Sequence, residues 1–283
     1  MCYKYCGGNV ARIIFNIASV IFLILILSCS KTDKKETIDY SSLLTTQTYN
    51  LEKQTGDCST EDAGNCAIIQ IEYLEVFYDE YPAIQEKINS RILNELLKPF
   101  GAEKANETFE DMMLTFIEEY KNFKKDFPES EQLWKLERVA SELFNSNNIF
   151  CCEIFEYSFL GGAHPNSLTK FLNFDLSTGN ELELKNLLID GYLEKINIIG
   201  EKIFRQMNEI EPNKDLTEAG FWFDNDKFSI NNNFTVDENG ITFYYNNYEI
   251  TDYASGPTDL YIPYDSIKNL IKPDGLLGSF IGN

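Results

Sequence analysis

Histidine is almost missing from this chain: His164 is the single one in 283 residues. Hydrolytic zinc centres typically take two or three imidazole ligands, so a site of that kind is excluded. A Ser-His-Asp triad would have to use His164, and no GxSxG elbow is present to expose a nucleophile. GxxxxGK(S/T) and GxGxxG loops are lacking too, which removes the usual phosphate cradles. Cations are scarce: 24 Lys and Arg face 45 Asp and Glu, for a net charge of −21. Nucleic acid needs a basic face and is not expected as a partner. These gaps leave no catalytic residue, metal or cofactor to name. What the chain does have is 43% hydrophobic and 14% aromatic content, enough for a substantial core.

The first 28 residues stand apart. Lys4 and Arg12 are their only charges, and an almost wholly apolar run leads from Ile13 to Ser28. A charged start, an apolar run and a small residue before the cut read as a secretory leader over 1–28. Ile26-Leu27-Ser28-Cys29 resembles a bacterial lipobox, which makes Cys29 the expected lipid attachment site. The alternative is an uncleaved membrane anchor. The expected location is the exported cell envelope, lipid-anchored to a membrane, the outer one in a Gram-negative cell. In that oxidising compartment Cys58 and Cys66, flanking a polar turn, are expected to form a disulfide contributing about 2–3 kcal/mol. Cys151 and Cys152 are neighbours in an apolar run and would point to opposite faces of a strand, so buried free thiols are expected.

Residues 29–61 are polar and read as a tether. Ala67–Tyr73 alternates as a half-buried strand does. Pro82 opens a helix with Ile84, Ile88, Ile92 and Leu96 four apart, and Thr108 with Asp111 caps a second whose stripe runs from Phe109 to Phe123. Residues 134–144 are ambiguous. Asn145–Asn148 is a turn signal before an apolar strand over 149–160, and Gly161–Asn166 breaks that strand. A strand over 171–176, a partner over 181–184, a helix over 192–207, a hairpin about Asp237–Gly240, a strand over 260–262 and a helix over 265–271 follow. Strands and helices do not alternate as βαβ units, so the class is α+β: antiparallel sheets packed on a few amphipathic helices.

Several motifs occur together. Tyr157-Ser-Phe-Leu-Gly161-Gly162-Ala163-His164-Pro165 is followed by Asn173-Phe-Asp-Leu-Ser-Thr-Gly179, then by Asn233-Phe-Thr-Val236 and Gly240-Ile-Thr-Phe-Tyr-Tyr245, then by Tyr248-Glu-Ile250, Tyr253-Ala-Ser-Gly256 and Ile262-Pro-Tyr264. This order resembles the signature of the RsiV-like and PdaC-like extracytoplasmic domains. The resemblance implies two tandem modules of uncharacterised function, over 62–168 and 169–272, with a tail over 273–283. It also implies a stand-alone lipoprotein form. The family's lysozyme-sensing anti-sigma factors carry a cytoplasmic segment, and only about a dozen residues precede the apolar run here. Its peptidoglycan deacetylases need two histidine ligands, and one is present.

Two function classes remain. One is a non-catalytic envelope binding module, monomeric, whose partner is a cationic envelope protein such as a lysozyme-like muramidase, or peptidoglycan. Its candidate ligand residues are Gly161, Gly162, Ala163, His164, Tyr157 and Tyr253. The other is a cell-wall hydrolase using His164 with a carboxylate such as Asp175. Two glycines ending a strand imply positive φ or a close backbone approach, and Gly256 marks a second such loop. The discriminator is whether His164 lies in a cleft beside a carboxylate or turns into its own loop.

Overall fold

Ala67, Ile69 and Ile71, and then Leu74 and Val76, are buried along Ala67–Phe77, the alternation changing phase at Tyr73. In the computed structural model, which describes residues 40–58, 64–99 and 106–281, this strand is the second of a six-stranded sheet. The leader, Cys29 and the first part of the tether lie outside the described residues. The sheet runs in chain order: β1 (Thr45–Thr55), β2 (Ala67–Phe77), β3 (Trp134–Ser146), β4 (Ile149–Leu160), β5 (Asn166–Asp175) and β6 (Asn180–Glu181). Residues 45–55, inside the segment read as a tether, thus form a full strand, paired from Thr45 opposite Phe77 to Thr55 opposite Ala67. Its inward side chains are the reason it escapes a hydropathy reading. Tyr49 stacks on Tyr73 at 4.9 Å and Lys53 reaches Glu110 at 2.7 Å, on either side of Leu51, the strand's single aliphatic residue, which packs against the α2 core. Cys58 and Cys66 are bonded to each other across the β1–β2 connection, with their Cα atoms 5.5 Å apart.

The sheet is mixed rather than wholly antiparallel. β2 and β3 run parallel, because the chain between them crosses over through α1 (Pro82–Leu96) and α2 (Phe109–Asp126). Both helices cover the same face. Ile88, Ile92 and Leu96 of α1 pack with Phe150, Cys152, Leu172 and Phe174. Met112, Met113, Phe116 and Ile117 of α2 pack with Ile69, Ile71 and Leu136. Each such side chain, fully buried, contributes roughly 1.5–3 kcal/mol. The Thr108 hydroxyl accepts from the Asp111 amide at 3.1 Å, capping α2 as the sequence predicts.

After β6 come α3 (Leu184–Leu187) and α4 (Tyr192–Met207). A three-stranded antiparallel sheet follows, made of β7 (Phe234–Val236), β8 (Gly240–Tyr245) and β9 (Thr258–Pro263), and then α5 (Tyr264–Ile267). Ile196 and Phe204 of α4 pack on Phe228, Ile241, Phe243 and Ile262. Ile149 and Cys151, from the face of β4 opposite α1, join this core, so the two sheets share β4 between them. Cys151 and Cys152 therefore do point to opposite sides, and both are buried and free. Among the described residues no helix is long and apolar enough to cross a membrane.

Candidate functional site

β4 leaves the sheet at Leu160 and β5 re-enters at Asn166. Of the two glycines between them only Gly161 needs to be glycine. Its φ is +76°, and a Cβ there would lie 2.2 Å from Gln132 Oε1. Gly162 has an ordinary φ and no atom nearer than 3.9 Å, which corrects the expectation that both are conformationally required. Gly162, Ala163 and His164 are exposed.

His164 is held by three groups. Its Nδ1 lies 3.0 Å from the Pro165 carbonyl. A carbonyl can only accept, so Nδ1 carries a proton, and Nε2 lies within hydrogen-bond reach of the Tyr248 hydroxyl at 3.3 Å. The imidazole stacks on Tyr253 with centroids 3.9 Å apart and planes 21° from parallel. Tyr248 completes the group, 5.7 Å from Tyr253 between ring centroids. The strand-breaking loop thus meets the segment after β8, bringing the His164 and Tyr253 motifs together as one aromatic platform.

That second segment is built to hold its rings. The Glu249 carboxylate accepts from the Asn246 amide at 2.9 Å and from Asn231 Nδ2 at 2.7 Å. Asp252 accepts from the Ser255 amide at 2.9 Å, which closes a single 3-10 turn over Tyr253–Ser255. These bonds hold the Asp252 carboxyl below its usual range. Tyr248 has φ +65° and Gly256 φ +74°, the second left-handed glycine that the sequence predicts. A third segment abuts this one. The Trp222 amide donates to the Ile250 carbonyl at 2.7 Å. Trp222 and Tyr248 are 49% and 51% exposed. Tyr248 belongs to one of the sequence motifs, whereas Trp222 lies outside them all.

Tyr157 makes a different contact. It sits on β4 opposite Ser167, with the Lys135 ammonium 5.5 Å from its ring centroid. Asp175 is not a partner of His164. It lies at the far end of β5, roughly 30 Å away along a strand of this length, where its carboxylate accepts from the Ser177 amide and hydroxyl. The proposed His164–Asp175 acid–base pair is therefore not formed, because an intact strand separates the two. His164 turns into its own loop and onto tyrosine. Among the described residues no group of three His, Cys, Asp or Glu is placed to hold a metal ion. An imidazole stacked on one phenol and within hydrogen-bond reach of a second presents an exposed ring surface that a ligand could contact.

Comparison with known proteins places this geometry. Residues 60–167 match the family model described as Deacetylase PdaC, and residues 185–265 match that of a protein of unknown function, DUF3298. A stretch of 119 residues is 24% identical to the peptidoglycan-N-acetylmuramic acid deacetylase PdaC of Bacillus subtilis (strain 168), covering 41% of this chain and 25% of that one. The chain thus spans about a quarter of the length of that curated relative. A crystal structure of a DUF3298 family member from Bacteroides fragilis NCTC 9343 superposes with a TM-score of 0.70 at 20% identity, over 85% of this chain and 98% of the other. A DUF3298 family protein from Pseudomonas aeruginosa PAO1 gives 0.59 at 21% identity, over 81% and 95%. The chain thus carries a region matching the PdaC model followed by one matching DUF3298, on an α+β fold that it shares with solved DUF3298 proteins.

Proposed function

We propose that this protein is a non-catalytic, envelope-associated binding protein whose ligand surface is the His164–Tyr248–Tyr253 platform, and that its partner is a cationic cell-wall-associated protein, a lysozyme-like muramidase first. The carrying observation is the meeting of two separate loops at one exposed, hydrogen-bonded ring stack. Tyrosine faces supply large contact area at small entropic cost. The surrounding charge favours a basic partner: Glu249 and Asp252 flank the rings, and the chain carries −21 overall. Such a field raises association rates by about 10–10³-fold at low salt, while the rings supply specificity. The likeness to a peptidoglycan deacetylase supports a cell-wall setting. Titration of the chain lacking residues 1–28 against lysozyme, at low salt and at about 0.15 M, tests this reading. Binding should weaken with salt yet persist at the higher concentration, and His164→Ala should reduce it further. Loss of all binding at about 0.15 M would leave only non-specific attraction and turn the search to a neutral glycan.

In the same reading, Cys29 tethers the protein to the membrane through lipid, supported by the apolar run ending Ile26-Leu27-Ser28. Two or more acyl chains give the firm attachment that one cannot. Cys29→Ser is expected to abolish incorporation of radioactive fatty acid; incorporation that persists in this variant would remove the anchor.

A further inference from the structure

Trp222 is one of two tryptophans in the chain and is 49% exposed, whereas Trp134 packs among Phe116, Tyr120 and Phe123 in the core beneath α2. The exposure of Trp222 is built in by its neighbours. Phe221 and Phe223 both turn inward and meet the buried Phe204 of α4 edge-on, at 4.8 and 5.4 Å. With the residues on either side drawn into the core, the side chain between them is left outside. The backbone is pinned as well. The Trp222 amide donates to the Ile250 carbonyl at 2.7 Å, and the buried Thr251 hydroxyl reaches the Gly220 carbonyl at 3.4 Å. The indole is therefore presented by a fixed frame, on a segment fastened between Tyr248 and Tyr253. Single exposed apolar residues are ordinary, but an indole whose backbone is bonded to the segment between Tyr248 and Tyr253 is pre-positioned as a binding anchor requires.

We infer that Trp222 is a principal contact residue of this ligand surface, its indole face receiving a Lys or Arg side chain of the basic partner; this rests on the function proposed above and adds a third segment to its site. The charge pattern argues for a cation. From Phe228 to Ile267 the chain contains no Lys or Arg, while Asp237, Glu238, Glu249, Asp252, Asp259 and Asp265 fall in that span. A cation over an indole is the strongest of the cation–aromatic pairs, and nearby carboxylates add to the attraction.

The two tryptophans make a direct test. Protein labelled with 5-fluorotryptophan gives one fluorine resonance from Trp134 and one from Trp222, and unlabelled lysozyme gives none. Lysozyme should shift the Trp222 resonance and leave that of Trp134 in place. Trp222→Ala should weaken binding by about 30-fold or more, as a hot-spot truncation does, and Trp222→Phe by much less. An unchanged Trp134 signal in Trp222→Ala shows that the fold is intact. If lysozyme binds while the Trp222 resonance stays still and Trp222→Ala binds within about twofold of the parent, the inference is overturned and the proposed function stands. If calorimetry shows no binding of lysozyme at all, the proposed function fails. A Trp222 shift seen only with neutral peptidoglycan fragments overturns the cationic partner.

Discussion

Asparagine side chains stand where the large sheet lacks a strand. β6 pairs with only Phe174 and Asp175 of β5, so the rest of that edge needs other partners. Asn246 Oδ1 accepts from the Thr169 amide at 2.7 Å, Asn233 Oδ1 accepts from the Phe171 amide at 2.9 Å, and Asn233 Nδ2 donates to the Thr169 carbonyl at 2.8 Å. Asn173 of β5 donates in the other direction, to the Phe234 carbonyl of β7 at 2.7 Å. These amides join the two sheets with side chains that both donate and accept, which no aliphatic residue could do. Asn233 is buried, so truncation leaves groups that water cannot reach. Each stranded buried donor or acceptor costs about 1–3 kcal/mol, so Asn233→Ala should lose about 2–4 kcal/mol in denaturant unfolding. Hydrogen exchange at the Phe171 amide should accelerate in the same variant. A loss below about 0.5 kcal/mol would show that the amide bridge is dispensable. Arg138 follows the same logic in the other core: buried on β3, it donates to the Leu96 and Lys98 carbonyls at 2.6 and 2.7 Å, satisfying the C-terminal end of α1, and to Glu156 at 2.7 Å.

At the level of elements, the amphipathic helices α1, α2 and α4 are legible because each carries a stripe at helical spacing and packs on an apolar sheet face. The β7–β8 hairpin is legible from Asp237-Glu-Asn-Gly240, where the Asp237 carboxylate accepts from the Asn239 and Gly240 amides at 2.6 and 2.8 Å. The disulfide is legible from its spacing, because Cys58 and Cys66 flank the turn of a hairpin. β1 is not, since Leu51 is its single aliphatic residue and its other inward contacts are Tyr49 on Tyr73 and Lys53 on Glu110. The parallel pairing of β2 with β3 is hidden as well: two successive helices can end beside either edge of a strand, and periodicity carries no sign of which. For the platform, sequence motifs point to His164 and Tyr253 but not to their stacking. That contact depends on β5 pairing with β4 and on Asn246 bonding to Thr169, a separation of 77 residues. Tyr157 shares a motif with His164, and on β4 its ring takes the Lys135 ammonium of the neighbouring strand.

Over the whole molecule, the excess of carboxylates sets how stability responds to acid. Glu153 of β4 and Asp259 of β9 face each other across the joint between the sheets. Burial raises the Glu153 carboxyl above its ordinary value of 4.5, the Asp259 charge adds to this, and the Thr169 hydroxyl opposes it. Burial likewise raises Asp259. A group whose folded pKa is raised contributes stability when protonated and loses it as pH rises through the folded value. Glu95 behaves oppositely. Burial alone would raise it, but hydrogen bonds from Lys98 and Arg91 hold its carboxyl below 4.5. Its contribution is present above the ordinary value and disappears as pH falls through the folded one. Hydrogen bonds from the Thr217 amide and hydroxyl place Asp226 in this second class. With a net charge of −21, repulsion is relieved as pH falls from neutrality. The melting temperature should therefore rise from pH 7 toward about pH 5, then fall in stronger acid as Glu95 and Asp226 lose their charge. Part of the rise belongs to the joint between the sheets, so Glu153→Gln with Asp259→Asn should give a more stable protein at pH 7 and a smaller gain on acidification. Melting curves of the parent and the double variant at both pH values make the comparison. An equal gain in the two proteins would assign the rise to general repulsion and leave the Glu153–Asp259 pair without a part in it.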